Sequence, residues 1–189
     1  MSDATGAPVV GSAAGAAAAT GAPVTESQLA LLRRHGIRPV KRRGQNFLVD
    51  GNLARAIATE VVALGRRVLE LGAGAGALTG HLLELGATVR CVEVDRRLCA
   101  VLAAEFGDRP GCVLQADDLA RLDWPATLQA AGPRPVVAGN LPYVLTSKVL
   151  FAVADHREAV AGAVVMVQRE VAERLLAATG GRDYGVLAV

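Results

Sequence analysis

The sequence predicts an α/β fold built on a doubly wound, mostly parallel sheet. Three observations carry this. Short apolar runs such as RVLELG, CVEVD, PVVAG and GAVVMV do not alternate with polar residues. Amphipathic stretches separate them, and a glycine-rich turn follows the first run directly. Strands covered on both faces read as continuous apolar runs, and right-handed crossovers between them wind helices onto both sides of the sheet.

The elements follow in order. Residues 1–24 are an Ala/Gly/Pro/Thr low-complexity stretch with little to bury, so disorder is expected. It lacks the basic start and leucine-rich centre of a signal peptide. TESQLALLRRHG reads as a short helix, with Thr25 and Gln28 as a capping box and Gly36 as the stop. Arg33, Arg34, Arg38, Lys41, Arg42 and Arg43 then form a basic run without an acid, bordered by Phe47 and Leu48. Such a run suits a solvated face, but its density beside an apolar anchor favours phosphate contact. Residues 25–51 therefore read as a helix plus basic leader. A helix is expected over about 52–64, opening the main domain, 52–189.

Within that domain the expected order is strand RVLELG, helix ALTGHLLELG, strand TVRCVEVD, helix RRLCAVLAAEFG and strand CVLQADDL. Strand PRPVVAGN, helix LTSKVLFAVAD, strand AGAVVMVQ and the start of a helix at REVAERLLAATG complete it. At 189 residues and 52% hydrophobic, the chain can bury one sizeable core, and its net charge of +2 says little about partners. Cys91, Cys99 and Cys112 form no CxxC pair, and His35, His81 and His156 are scattered, so no metal site is expected. Reduced thiols, no signal peptide and no long apolar span predict a protein of the cytoplasm that does not enter membranes.

Chemistry enters at VLELGAGAGALT. Gly72, Gly74 and Gly76 allow a sharp strand-to-helix turn on which a ligand can lie. A tight loop with no ligand is the plain alternative. The dinucleotide fingerprint is GxGxxG, whereas the third glycine here comes one residue early, after the acid Glu70. A pyrophosphate disfavours a nearby negative charge, but a ligand with an ammonium and a sulfonium tolerates or welcomes it. S-adenosylmethionine is therefore preferred over a nicotinamide dinucleotide. Glu93 ends the next strand, where an acid takes ribose hydroxyls, with Asp95 the competitor that could simply cap a helix. Asp117 ends the third strand and could accept from an adenine amino group, leaving Asp118 as a cap.

The fourth strand runs straight into Asn140-Leu141-Pro142-Tyr143. A turn would explain these residues in isolation. Beside the glycine turn they suit methylation of an exocyclic amine. The Asn140 side-chain oxygen and the Leu141 carbonyl can accept both amine hydrogens, Pro142 stiffens the turn, and Tyr143 can stack on a flipped base.

KRRGQNFLVD, VLELGAGAGALT, VEVD, QADDL, GNLPY and VQREVAERLLA…YGVLAV together resemble the ribosomal RNA adenine dimethyltransferase family, in its small-subunit form rather than the macrolide-resistance form. The likeness runs from about Thr25 to Val189. It implies a Rossmann-like class I methyltransferase that uses S-adenosylmethionine to dimethylate two adjacent adenosines near the 3′ end of small-subunit rRNA, acting as a monomer on immature 30S particles. By matching positions, Asn46 and Leu48 close over the cofactor, Gly72 and Gly74 lie under it, Glu93 meets its ribose, Asp117 its adenine, and Asn140 bridges it to the target amine. The leader's Arg38, Lys41, Arg42 and Arg43 are the expected RNA contacts. Two departures stand out: Val144-Leu145 replaces the usual centre of the loop, and family members continue past the last position here with further strands and a helical domain. A large-subunit enzyme or a catalytically impaired assembly factor are the competing expectations.

Overall fold

The computed structural model describes residues 28–37 and 48–179. Five strands form one sheet: β1 (Arg67–Leu71), β2 (Thr88–Glu93), β3 (Cys112–Ala116), β4 (Val136–Asn140) and β5 (Gly162–Met166). Their order is β3-β2-β1-β4-β5, and every neighbouring pair is parallel. The helices are α1 (Gln28–Arg34), α2 (Gly51–Leu64), α3 (Ala77–Glu84), α4 (Arg96–Phe106), α5 (Trp124–Ala131), α6 (Thr146–Asp155) and α7 (Arg169–Leu175).

Side chains alternate across the sheet, so two cores form. Val68, Val89, Cys91, Val136 and Ala138 pack with Ala58, Val61, Leu78, Leu82 and Phe106 of α2, α3 and α4. Leu69, Leu71, Val92 and Val137 pack with Trp124, Leu128 and Val149 of α5 and α6. Winding runs outward from β1 on one face and from β4 on the other. The crevice between β1 and β4 is thus the switch point where such sheets bind ligands, at the carboxyl ends of the strands.

The expected strands and helices are present, with one addition. Helix α5 lies between β3 and β4, where the sequence reading left no element. Its signals are local and readable: Asp123 accepts from the Ala126 N–H at 3.0 Å as N-cap, Pro125 follows in the first turn, and Gly132 closes the helix. The proposed capping box at Thr25 lies outside the described residues. Gln28 itself buries its side chain and turns it toward the sheet rather than solvent.

Helix α1 stands apart from the βα series and docks on α4. Leu32 packs with Ala75, Leu98 and Val101. His35 Nε2 lies 2.7 Å from Glu105 Oε1, and Arg34 Nη2 lies 2.8 Å from Glu105 Oε2. These contacts hold α1 over the carboxyl end of the sheet.

Gly139 permits the closest strand contact. A Cβ there would collide with the Leu71 carbonyl oxygen, so β4 can approach β1 only with glycine at this place. Gly139→Ala is expected to destabilise the fold by about 1–3 kcal/mol through overpacking, measured by urea unfolding. Unchanged stability would show that β4 can shift without cost.

Candidate functional site

A single cleft opens at the carboxyl ends of β1, β2 and β4, lined among others by Gln28, Leu48, Gly72, Gly74, Glu93, Asp118, Leu119, Asn140 and Pro142. The three glycines of the turn all have positive φ, which side chains rarely adopt, but they serve different ends. Only at Gly72 would a Cβ meet nothing closer than ordinary contact: it would stop 3.7 Å from the Asn140 carbonyl oxygen and 3.9 Å from Leu119 Cδ1. The space beside Gly74 is filled by Gln28, whose Nε2 lies 2.9 Å from where a Cβ would stand. Gly76 makes room for the Phe106 ring and so serves packing.

Glu93 holds this wall together. Its Oε2 accepts from the Gly74 N–H at 2.9 Å, and its Oε1 accepts from the Val94 and Asp95 N–H groups, each at 2.9 Å. Burial pushes its pKa up, opposed by those three hydrogen bonds. Asp95 is a helix cap, as its competing reading had it: its Oδ1 accepts from the Arg97 N–H at 3.0 Å, while it also lines the cleft.

Glu70 lines the cleft, where the sequence makes an acid tolerable or helpful to a sulfonium ligand. It is 2% exposed, hydrogen-bonded by the Thr79 hydroxyl at 2.7 Å, and 3.8 Å from the Cys91 sulfur. Burial pushes its pKa up to about 8, so at pH 7 the neutral acid predominates and offers little charge.

At the third strand, Asp117 does not line the cleft and Asp118 does. The Asp117 carboxylate is turned inward along its own loop: Oδ1 accepts from the Asp118 N–H at 2.8 Å and Oδ2 from Gln115 Nε2 at 3.2 Å. Asp118 also accepts from the Ala120 N–H at 2.9 Å, the capping role expected of it. The sequence reading missed the apolar walls. Val94, 61% exposed, and buried Leu98 and Leu119 all line the cleft. A large exposed valine directly after a strand-ending acid was the available signal.

Asn140 ends β4 beside Gly72 and lines the cleft with Pro142. Leu141 is fully buried among Leu69, Leu71 and Val137, anchoring the loop from below. Pro142 O accepts from the Leu145 N–H at 2.9 Å and the Thr146 hydroxyl at 3.4 Å, closing a 3-10 turn over Tyr143–Leu145. Tyr143 does not line the cleft; it is 46% exposed just outside it, next to Val144 at 89%. Of the departing pair in this loop, Val144 faces solvent and Leu145 completes the cleft wall. Leu48 lines the cleft, whereas Asn46, Arg38, Lys41, Arg42 and Arg43 lie outside the described residues. Among the described residues no cluster of His, Cys, Asp or Glu is arranged to hold a metal, and no helix is long and apolar enough to cross a membrane.

Residues 38–189 match the family model described as Ribosomal RNA adenine dimethylase. The chain belongs to that family. Among curated members of the ribosomal RNA adenine dimethylases, it is 47% identical over 175 residues to "Ribosomal RNA small subunit methyltransferase A" of Anaeromyxobacter sp. (strain K), covering 86% of this chain and 60% of the relative. The protein of that name from Geobacter sulfurreducens is 42% identical over 84% of this chain and 58% of its own length. The chain thus spans about 60% of these relatives. The fold matches the crystal structure of a dimethyladenosine transferase from Plasmodium falciparum at TM-score 0.57 and 24% identity, covering 71% of this chain and 48% of that one. It matches that of the 23S rRNA methyltransferase ErmE at TM-score 0.53 and 29% identity, covering 68% and 50%. The doubly wound methyltransferase-like architecture expected of the sequence is therefore the one present.

Proposed function

We propose that this chain carries the S-adenosylmethionine-dependent centre that dimethylates the N6 amines of two adjacent adenosines near the 3′ end of small-subunit rRNA. The observation that carries the reading is that Asn140, Gly72 and Glu93 line one cleft, with the Asn140 main-chain oxygen 3.7 Å from where a Cβ on Gly72 would stand. A methyl donor on the glycine turn and an amine held by Asn140 would then face each other.

The residues present suit the cofactor. Glu93 has acceptor capacity left for a ribose hydroxyl, Val94 and Leu119 offer apolar faces to an adenine, and Asp118, next to Asp117 in the chain, lines the cleft where an adenine amino group would find an acceptor. When bound, S-adenosylmethionine supplies an electrophilic methyl on a sulfonium. The chain supplies position. Asn140 Oδ1 and the Leu141 carbonyl accept the two amine hydrogens, which turns the nitrogen lone pair toward the methyl. Solvent at the mouth of the cleft would take the surplus proton of the amine. Exposed Tyr143 stacks on the flipped base, worth about 1–3 kcal/mol.

In this reading residues 52–189 form the methyltransferase domain and residues 25–51 close over the cofactor, with Asn46 and Leu48 at the contact. Arg38, Lys41, Arg42 and Arg43 grip rRNA phosphates, and residues 1–24 are a tail. The protein works as a monomer on immature 30S particles in the cytoplasm. Incubation with methyl-labelled S-adenosylmethionine and either immature small subunits or large-subunit rRNA tests it. Dimethyladenosine in the small-subunit RNA is the expected product; label only in the large-subunit RNA, or ribosome binding without label, overturns it.

Glu93→Ala is expected to weaken S-adenosylhomocysteine binding by about 10–100-fold, the worth of a charged hydrogen bond, in a calorimetric titration. An unchanged dissociation constant would move the ribose contact to another residue.

A further inference from the structure

Gln28 has a buried acceptor with nothing to accept from. It is 5% exposed and lines the cleft, yet its Oε1 has no hydrogen-bond partner among the described residues. A buried carbonyl oxygen left unmatched costs about 1–3 kcal/mol, so the oxygen is expected to meet a donor in the working state.

Glu93, the neighbouring acid, supplies the complementary fact. A carboxylate offers about four acceptor positions. Three on Glu93 are already taken, by the N–H groups of Gly74, Val94 and Asp95. A ribose presents two adjacent hydroxyls, and one remaining position cannot serve both as separate donors. Gln28 lies with its Nε2 against Gly74, the residue that Glu93 grips, and the same side chain lines the cleft.

Resting on the cofactor assignment above, we propose that Gln28 is a second ribose-binding residue, its Oε1 accepting one hydroxyl of the adenosyl ligand while Glu93 accepts the other. Helix α1 then does more than cover the sheet: it brings an acceptor to the ligand from outside the βα series. The docking of α1 through His35 and Arg34 onto Glu105 sets the position of that acceptor.

The test uses the full chain and Gln28→Met, which keeps the side chain's length and removes its carbonyl oxygen. S-adenosylhomocysteine and its 2′-deoxy and 3′-deoxy analogues are titrated calorimetrically, and thermal melting is followed with and without ligand. The variant should bind S-adenosylhomocysteine about 3–10-fold more weakly, the range of a neutral hydrogen bond. That loss should vanish for the one deoxy analogue that lacks the contacted hydroxyl. The ligand-free variant should melt no lower than the native chain, because an unmatched buried oxygen has been removed. Equal affinity of variant and native chain for S-adenosylhomocysteine, or the same loss with both deoxy analogues, overturns the ribose contact and leaves the cofactor reading standing. Absence of S-adenosylhomocysteine binding by the native chain overturns both.

Discussion

Asn140→Ala is expected to lower the proposed methyl transfer by about 10²–10³-fold, the usual cost of removing one preorganised polar group at a reacting centre. Affinity for S-adenosylhomocysteine should change little. The separation follows from where Asn140 stands. It ends β4 at the side of the cleft next to Gly72, while Glu93 and Gln28 belong to the opposite flank around Gly74. The amide therefore acts on the incoming amine more than on the cofactor. Single-turnover label transfer to immature small subunits, paired with calorimetry, reads the two effects apart. Asn140→Asp is the informative companion: it keeps an acceptor oxygen and should retain more activity than alanine. A variant with alanine that transfers methyl groups at the native rate would remove residue 140 from the chemistry.

The second large effect concerns stability. Glu70 is buried, and its pKa is pushed up to about 8 from 4.5. Between those values the folded protein keeps a proton that the unfolded chain has released, so stability falls as pH rises through this window. The slope approaches about 1.4 kcal/mol per pH unit. Below about pH 4.5 the loss is absent, and above about pH 8 it is complete. Glu70→Gln cannot ionise. Its stability relative to the native chain should rise steadily from pH 5 to pH 8 and level off above, a total gain of several kcal/mol. Urea unfolding of both proteins at pH 5, 6, 7 and 8 gives the difference directly, since groups that do not touch Glu70 titrate alike in each. Parallel curves would mean that Glu70 stays ionised in the folded state.

The two cases show what a linear chain reveals and what it hides. The strands were legible because short apolar runs recur between helical stretches, and Glu70, Arg90 and Gln115 within them do not restore a strict alternation. Asn140 was legible because an amide and a proline at the end of such a run are out of character. The state of Glu70 was hidden because burial decides it: desolvation by the surrounding fold raises its pKa, against hydrogen bonds from Thr79 and Cys91, 9 and 21 residues away in the chain, that lower it. The glycines show the same limit. Gly72, Gly74 and Gly76 look equivalent in GAGAG, but Asn140, Gln28 and Phe106, brought in from other elements, decide which one faces a ligand. Asp117 and Asp118 differ by a single peptide unit, and the fold of the loop, not their type, turns one toward the cleft. Helix α5 is different in kind. Its cap and its proline were readable, and at eight residues it is as long as α3, so the signal was present in the chain.

Glu93 has one more consequence. Because three main-chain amides already converge on its carboxylate, the glycine turn is braced before any nucleotide arrives. The entropy of ordering that loop is lost during folding rather than at the encounter, so more of the contact energy appears as affinity. Solvent exchange at the Gly74 amide should accordingly be slow in the empty protein, and filling the cleft should slow it little further.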